Sequence, residues 1–194
     1  MAKEIVIDIE TQTPIIQGRQ EDLKISVVCG YNYDTDQFFV FTENELLNLW
    51  PLLEKADRVI GYNSRYFDVP VLNNYYPGDL NKIPQLDMLE EIRKILGFRL
   101  KLNDVAKATL GVEKSGNGLE AVEWFRQGEL EKIKKYCLDD VKITKEIYDY
   151  GKKNKQLFYP DIQTKANRPF PVNFSEIEKK EPSFSSNINL TLPF

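Results

Sequence analysis

The 194 residues, 42 % hydrophobic and 29 % charged, have the composition of one folded domain or of a domain with a tail. There is no histidine, and Cys29 and Cys137 are the only cysteines. This excludes Ser-His-Asp and Cys-His catalysis, histidine-ligated or four-thiolate zinc, and a disulfide framework. Metal chemistry is left to oxygen ligands, hence to Mg²⁺, Mn²⁺ or Ca²⁺. A net charge of −4 with a pI near 5.1 does not point to nucleic acid, but local patches and metal ions offset a global sign. No apolar run approaches the roughly 20 residues of a membrane span. The opening Met1-Ala2-Lys3-Glu4 lacks a signal-peptide pattern, so a cytoplasmic protein is expected.

In chain order, residues 3–9 alternate and are β-branched, which predicts a strand. Residues 24–33 and 37–41 predict two more, joined by a hairpin at Asp34-Thr35-Asp36. Thr42-Glu43-Asn44-Glu45 is a capping box and predicts a helix to about Ala56. Arg58–Gly61 reads as a short buried strand, followed by a helix from about Arg65 to Tyr76 that Asn63 or Ser64 can cap. Asp87 caps a helix ended by Gly97, and Asn103–Leu110 is a helix ended by Gly111. Ser115–Gly118 is a loop, and Leu119–Arg126 a helical turn or two. Glu129–Tyr150 is the strongest helical pattern. From Pro160 onward no period is visible and five of the ten prolines occur, so 160–194 is expected to be an extended tail on a domain of 1–159. Strands followed by alternating helix and strand predict an α/β fold with a mixed central sheet, an antiparallel meander plus parallel strands, flanked by helices.

Three segments place acids where acids need a reason. In the first strand Asp8 and Glu10 point the same way, about 7 Å apart; alone, this is an ordinary polar strand face. In the long helix Lys135, Asp139, Lys142 and Glu146 make an outer charged face, whereas Asp140 shares a stripe with Tyr136, Ile143 and Ile147 at the edge of the apolar face. An ionised carboxylate there costs several kcal/mol without a partner. A bound cation, a Tyr-Asp hydrogen bond or an arginine from elsewhere would each serve. In Gly61-Tyr62-Asn63-Ser64-Arg65-Tyr66-Phe67-Asp68 the acid falls in the first turns of a helix, where the dipole favours it.

Taken together, Asp8-Ile9-Glu10-Thr11, Gly61-x-Asn63-x-x-x-Phe67-Asp68 and Tyr136-x-x-x-Asp140 resemble the three motifs of the DEDD superfamily of 3′–5′ exonucleases. The tyrosine places the resemblance in the DEDDy branch. It spans about 1–150 and is nearest to the proofreading domains of B-family DNA polymerases and the small exonuclease domains related to them. Leu102-Asn103-Asp104-Val105-Ala106 with Leu110-Gly111 also looks like a segment of that group. The resemblance implies a ribonuclease H-like fold and two Mg²⁺ or Mn²⁺ ions held by Asp8, Glu10, Asp68 and Asp140. It implies that Asp8 bridges both ions, that Glu10 and Asp140 hold the one carrying the attacking water, and that Asp68 supports the second. It further implies hydrolysis of single-stranded 3′ ends of DNA or RNA, as in DNA repair or RNA processing. Four converging acids repel and raise at least one pKa, which two cations relieve. Tyr136, with a reference pKa near 10, is expected to orient water rather than to act as the base. Gln12 departs from the small residues commoner at its position.

Thr11, Tyr62, Asn63, Arg65 and Phe67 are the expected substrate contacts, with Tyr62 and Tyr66 offering rings to stack on unpaired bases. Arg93, Lys94, Arg99, Lys101 and Lys114 are further candidates for positive charge. Two other readings compete: a catalytically degenerate fold that binds nucleic acid or protein, and an endonuclease, which gives Tyr136 no role. The apolar end Asn189–Phe194 can dock in a protein partner's pocket or pack on its own domain.

Overall fold

A computed structural model describes residues 3–14, 19–113, 118–161 and 163–174. Its centre is a five-stranded sheet in the order β3-β2-β1-β4-β5, built from β1 (Glu4–Thr11), β2 (Ile25–Asn32), β3 (Gln37–Thr42), β4 (Arg58–Gly61) and β5 (Gln85–Asp87). β1 to β3 form an antiparallel meander, and β4 and β5 run parallel to β1. The mixed α/β architecture is thus the expected one. The hairpin lies where the sequence puts it, with Asp36 in the left-handed region at φ 54° and the Asn32 carboxamide accepting the Asp34 N–H at 2.9 Å.

β1 is central and buried on both sides, so its alternation sorts two cores rather than core from solvent. Ile5, Ile7 and Ile9 pack with Val28, Leu49, Leu53 and Leu72. Val6 faces the other layer with Ile133, Cys137 and Val141. The first layer is closed by α1 (Trp50–Glu54) and α2 (Asp68–Asn73). The second is closed by α6 (Leu130–Asn154) lying on β1 and β2, with α4 (Leu102–Leu110) and α5 (Gly118–Arg126) against it. α3 (Met88–Leu96) follows β5 directly, and Asp87 caps it as expected.

Four elements differ from expectation. The Thr42–Glu45 capping box forms, but opens a 3₁₀ helix over Glu43–Asn48. Pro51, which has no N–H, sits in the first turn of α1, so the α-helix begins only at Trp50. α2 begins at Asp68, not Arg65, and neither Asn63 nor Ser64 caps it: the N-cap is Phe67, with no side-chain bond. The three-residue β5 is too short to leave a period in the sequence. Most of 160–174 is folded, not an extended tail. β6 (Gln156–Pro160) and β7 (Asn167–Pro171) form an antiparallel hairpin, and Phe170, Val172 and Phe174 are buried. In a two-stranded sheet each strand has an open edge, which tolerates the prolines that hid it. The expected loop over 115–117 and the segment 175–194 lie outside the described residues.

A polar cluster closes the end of β1 opposite Glu10. Glu4, 3 % exposed, pairs with Arg58, itself 2 % exposed. The Tyr148 hydroxyl donates to Glu4 at 2.8 Å, and the Lys152 Nζ lies 3.0 Å from it. Arg58 also donates to the Tyr148 oxygen at 2.6 Å and to the Phe174 carbonyl at 2.9 Å. The cluster therefore ties β1, β4, α6 and the segment after β7 together. Burial would raise the Glu4 carboxyl, but Tyr148, Lys152 and Arg58 outweigh it and hold it below its ordinary value. A lowered native pKa means that this stabilisation is present above the ordinary value of 4.5 and is lost as pH falls below it. Arg58→Ala removes the buried partner of Glu4 and leaves it to Tyr148 and Lys152, and should cost about 3 kcal/mol in urea unfolding at pH 7. The difference between wild type and variant should shrink as the pH is taken below 4.5.

Candidate metal centre

Asp8 and Glu10 leave β1 on the face turned toward α6, where Asp140 meets them. One carboxylate oxygen from each of Asp8, Glu10 and Asp140 lies within 4.8 Å of the other two. Asp140 is buried, and Asp8 and Glu10 are half-buried. The register of α6 on the sheet is set directly beneath: the Cys137 thiol donates to the Asp8 carbonyl at 3.4 Å and contacts the Cys29 thiol. Burial pushes the Cys137 thiol up, so it stays a protonated packing group.

Tyr136 stands one turn before Asp140 and hydrogen-bonds to it, with Trp124 of α5 packed edge-on at 6.1 Å between ring centres. Burial, then Asp140, Glu10 and Asp8, push the Tyr136 phenol far up. It stays a protonated donor at neutral pH.

Asp68 stands beside the three-acid group rather than within it. Its Oδ1 accepts the Ile9 N–H at 3.1 Å, which fastens the start of α2 to β1. Burial first, with Asp87 and Asp140 nearby, pushes its carboxyl up to about 7, against the N–H groups of Asp68 and Ile9, which lower it.

The loop from Gly61 to Phe67 is a tight structure in its own right. A Cβ at Gly61 would lie 2.4 Å from the Ser64 Cβ, so only glycine permits the fold-back. Asn63 is left-handed at φ 68°. Asp87 holds the loop from below: its Oδ1 accepts Asn63 N at 2.8 Å and its Oδ2 accepts Arg65 N at 3.0 Å. The same carboxylate accepts Leu89 N and Glu90 N. The sequence presents Asp87 only as a cap; its hold on the Asn63 loop crosses 24 residues and has no local signature.

Next to the acids is a pocket of about 490 Å³ lined by Glu10, Thr11, Phe67, Leu119 and Val122 among others. Thr11 is buried, its hydroxyl donating to the Thr13 carbonyl at 2.8 Å. Leu119 and Val122 come from α5 and were not singled out in the sequence. Gln12, the departure from the family pattern, braces this rim: its amide donates to Glu43 and to the Ile25 carbonyl, both at 2.9 Å. Among the expected contacts, Tyr62 is not presented for stacking. Its ring packs against the core and its hydroxyl donates to the Leu100 carbonyl at 2.9 Å. Tyr66 is exposed. Arg65 donates to the Gln85 carbonyl at 3.0 Å. Lys94 pairs with Glu91, and Lys114 lies outside the described residues.

Three hard carboxylate oxygens on this scale could hold a divalent cation. Octahedral ligands about 2.1 Å from an ion are about 3.0–4.2 Å apart, which small side-chain adjustments reach. Asp87 and Asp140 both push on Asp68, and Asp140, Glu10 and Asp8 all push on Tyr136.

The family model RNase_H_2, of the RNase H superfamily, matches residues 5–151. No curated protein sequence matches the chain. Among solved structures, the family B DNA polymerase of the hyperthermophilic archaeon Pyrobaculum calidifontis is similar, with a TM-score of 0.60 and 17 % identity. The match covers 78 % of this chain and 24 % of the polymerase, so the chain is similar to about a quarter of that protein's length. No helix among the described residues is long and apolar enough to cross a membrane.

An acid raised to about 7 from 3.8 destabilises the fold wherever it must ionise, so metal-free protein should lose stability as pH rises through that interval. Asp68→Asn keeps the acceptor for Ile9 N and removes the charge. Thermal melts in chelator should show a smaller fall between pH 5 and 8 for the variant than for wild type, as about one proton's worth of linkage is removed.

Proposed function

The chain belongs to the RNase H superfamily, and on that premise we propose that it is a metal-dependent 3′–5′ exonuclease acting on single-stranded 3′ ends. The observation that carries this reading is the convergence of Asp8, Glu10 and Asp140 within 4.8 Å, with Glu10 also lining a pocket of about 490 Å³. That volume is within the range of about 300–1,000 Å³ typical of small-ligand sites. Its apolar lining, Phe67, Leu119 and Val122, suits a terminal base, and Thr11 offers its backbone to the sugar.

Asp8, Glu10 and Asp140 would hold the divalent ions, with Asp68 alongside and reaching them through water. Such ions, when bound, activate water and neutralise charge developing on a phosphate. Tyr136, kept protonated with its one O–H on Asp140, would turn that O–H to the attacking water once ions engage Asp140. Asn63, fixed in its loop by Asp87, faces the strand next to the terminal nucleotide. The 3′–5′ direction and the pairing of ions rest on the DEDDy pattern of Asp8, Glu10, Asp68, Tyr136 and Asp140. The presence of all five favours an active enzyme over a degenerate binding module.

The test is a product ladder from 5′- and 3′-labelled DNA and RNA, with and without Mn²⁺. A 5′ label should yield progressively shorter strands, and a 3′ label should be released at once as mononucleotide. Internal cuts, or no metal-dependent cleavage, would overturn the reading. Asp8→Ala should reduce cleavage to background while retaining the fold. Tyr136→Phe should lower kcat by about 10²-fold with little change in KM. Mn²⁺ at about 100 times its Kd should stabilise wild type by about 2.7 kcal/mol in thermal or urea unfolding, and Asp8→Ala much less.

A further inference from the structure

A second hollow, of about 100 Å³, opens where β5 passes into α3, lined by Asn63, Arg65, Tyr66, Asp87, Arg93 and Arg99 among others. We propose that it binds the phosphate backbone of single-stranded nucleic acid, as the track along which the strand reaches the acid cluster. The direction of travel rests on the exonuclease reading; the binding itself does not.

Position supports this first. Asp8 and Glu10, the Asn63 loop and Asp87 all lie at the carboxyl ends of β1, β4 and β5, which are neighbours in the sheet. The hollow and the apolar pocket share the Gly61–Asp68 segment, one through Asn63 and Tyr66, the other through Phe67. A strand with its last base in the apolar pocket and its reacting phosphate at the acids is thus offered a continuation beside Asn63.

Chemistry supports it second. In a chain of net charge −4, three arginines from three separate segments meet at this one rim. Of the two acids there, Asp87 accepts four backbone N–H groups. Glu90 lies 3.6 Å from Arg65. Arg93 and Arg99 are both exposed. Arg99 donates one hydrogen bond, to the Asn63 carboxamide at 2.7 Å, and a guanidinium has five donors in a planar fork suited to phosphate. Tyr66, 52 % exposed, adds a ring at the same rim on which an unpaired base can stack. The hollow is well below the roughly 300–1,000 Å³ of a small-ligand pocket, which fits a phosphate in passing rather than a whole nucleotide. The Arg99–Asn63 bond also links this rim to the loop that leads into α2 and Asp68.

The test is fluorescence anisotropy with a labelled ten-nucleotide single-stranded DNA, and RNA of the same sequence, in chelator at 50–200 mM salt. Arg93→Glu with Arg99→Glu should weaken binding at least about tenfold at the lowest salt. Two lost phosphate contacts should flatten the plot of log K against log salt by about 1.4. Arg93→Glu alone, which leaves the Asn63 loop untouched, should flatten it by about 0.7. Lys55→Glu with Lys82→Glu makes the same charge change at the opposite ends of β4 and β5 and should weaken binding by less than about twofold. Equal losses in the two double variants, no loss in Arg93→Glu, or no strand binding by wild type would each overturn the proposal. Normal strand binding without any cleavage would sink the exonuclease reading and leave this site standing. Cleavage without arginine-dependent binding would do the reverse.

Discussion

Like charges held close together are the constraint on which this structure turns. A carboxylate removed from water costs several kcal/mol unless something of opposite sign compensates it. β1 carries acids at both ends and meets the cost in two ways. At Glu4 the chain supplies its own cations, Arg58 and Lys152, together with the Tyr148 hydroxyl. At Asp8 and Glu10 a third acid, Asp140, converges to within 4.8 Å, and Asp68 beside them is pushed up to about 7. One end of the strand is electrostatically closed. The other brings three acids together with a fourth alongside.

Such an arrangement must be carried by rigid elements, because mutual repulsion would spread side chains held on loops. Two of the acids sit on a strand paired on both sides, one on a 25-residue helix, and one at the first turn of α2. Asp68 is tied to the Ile9 backbone, and α6 is seated on the Asp8 carbonyl through Cys137. The one irregular contributor, the loop around Asn63, is itself fixed by Asp87 and by the close approach that Gly61 allows. The Glu4 cluster acts in the same sense from the far end. It holds β1, β4 and α6 in one register and recruits the hairpin after α6 to cover them.

The legible parts were those with a period or a cap. The β-branched alternation of β1 to β3, the Thr42–Glu45 box, the glycines ending α3 and α4, and the two-faced pattern of α6 all act within a few residues, and each element formed. The acids were legible for the same reason: Asp140 breaks the apolar face of a helix, and Asp8 and Glu10 share a strand face. What stayed hidden is short or long-range. β5 has three residues, and β7 carries two prolines that a paired edge tolerates only because its other edge is open. Tyr62 and Tyr66 look alike in the sequence as rings for stacking, but the Tyr62 ring packs against the core while Tyr66 is exposed.

The sequence by itself determined the chemistry available: no histidine and no thiolate cluster, hence oxygen ligands, and which side of each helix and strand must carry them. It determined this because side-chain direction follows backbone period, a local property. Tertiary structure alone decided that three acids separated by up to 132 positions meet within 4.8 Å, that Asp68 stands just outside them, and that three arginines gather beside Asn63. Those outcomes depend on strand order, helix seating and the reach of individual side chains. Each is fixed by packing between distant segments, which leaves no periodic trace along the chain.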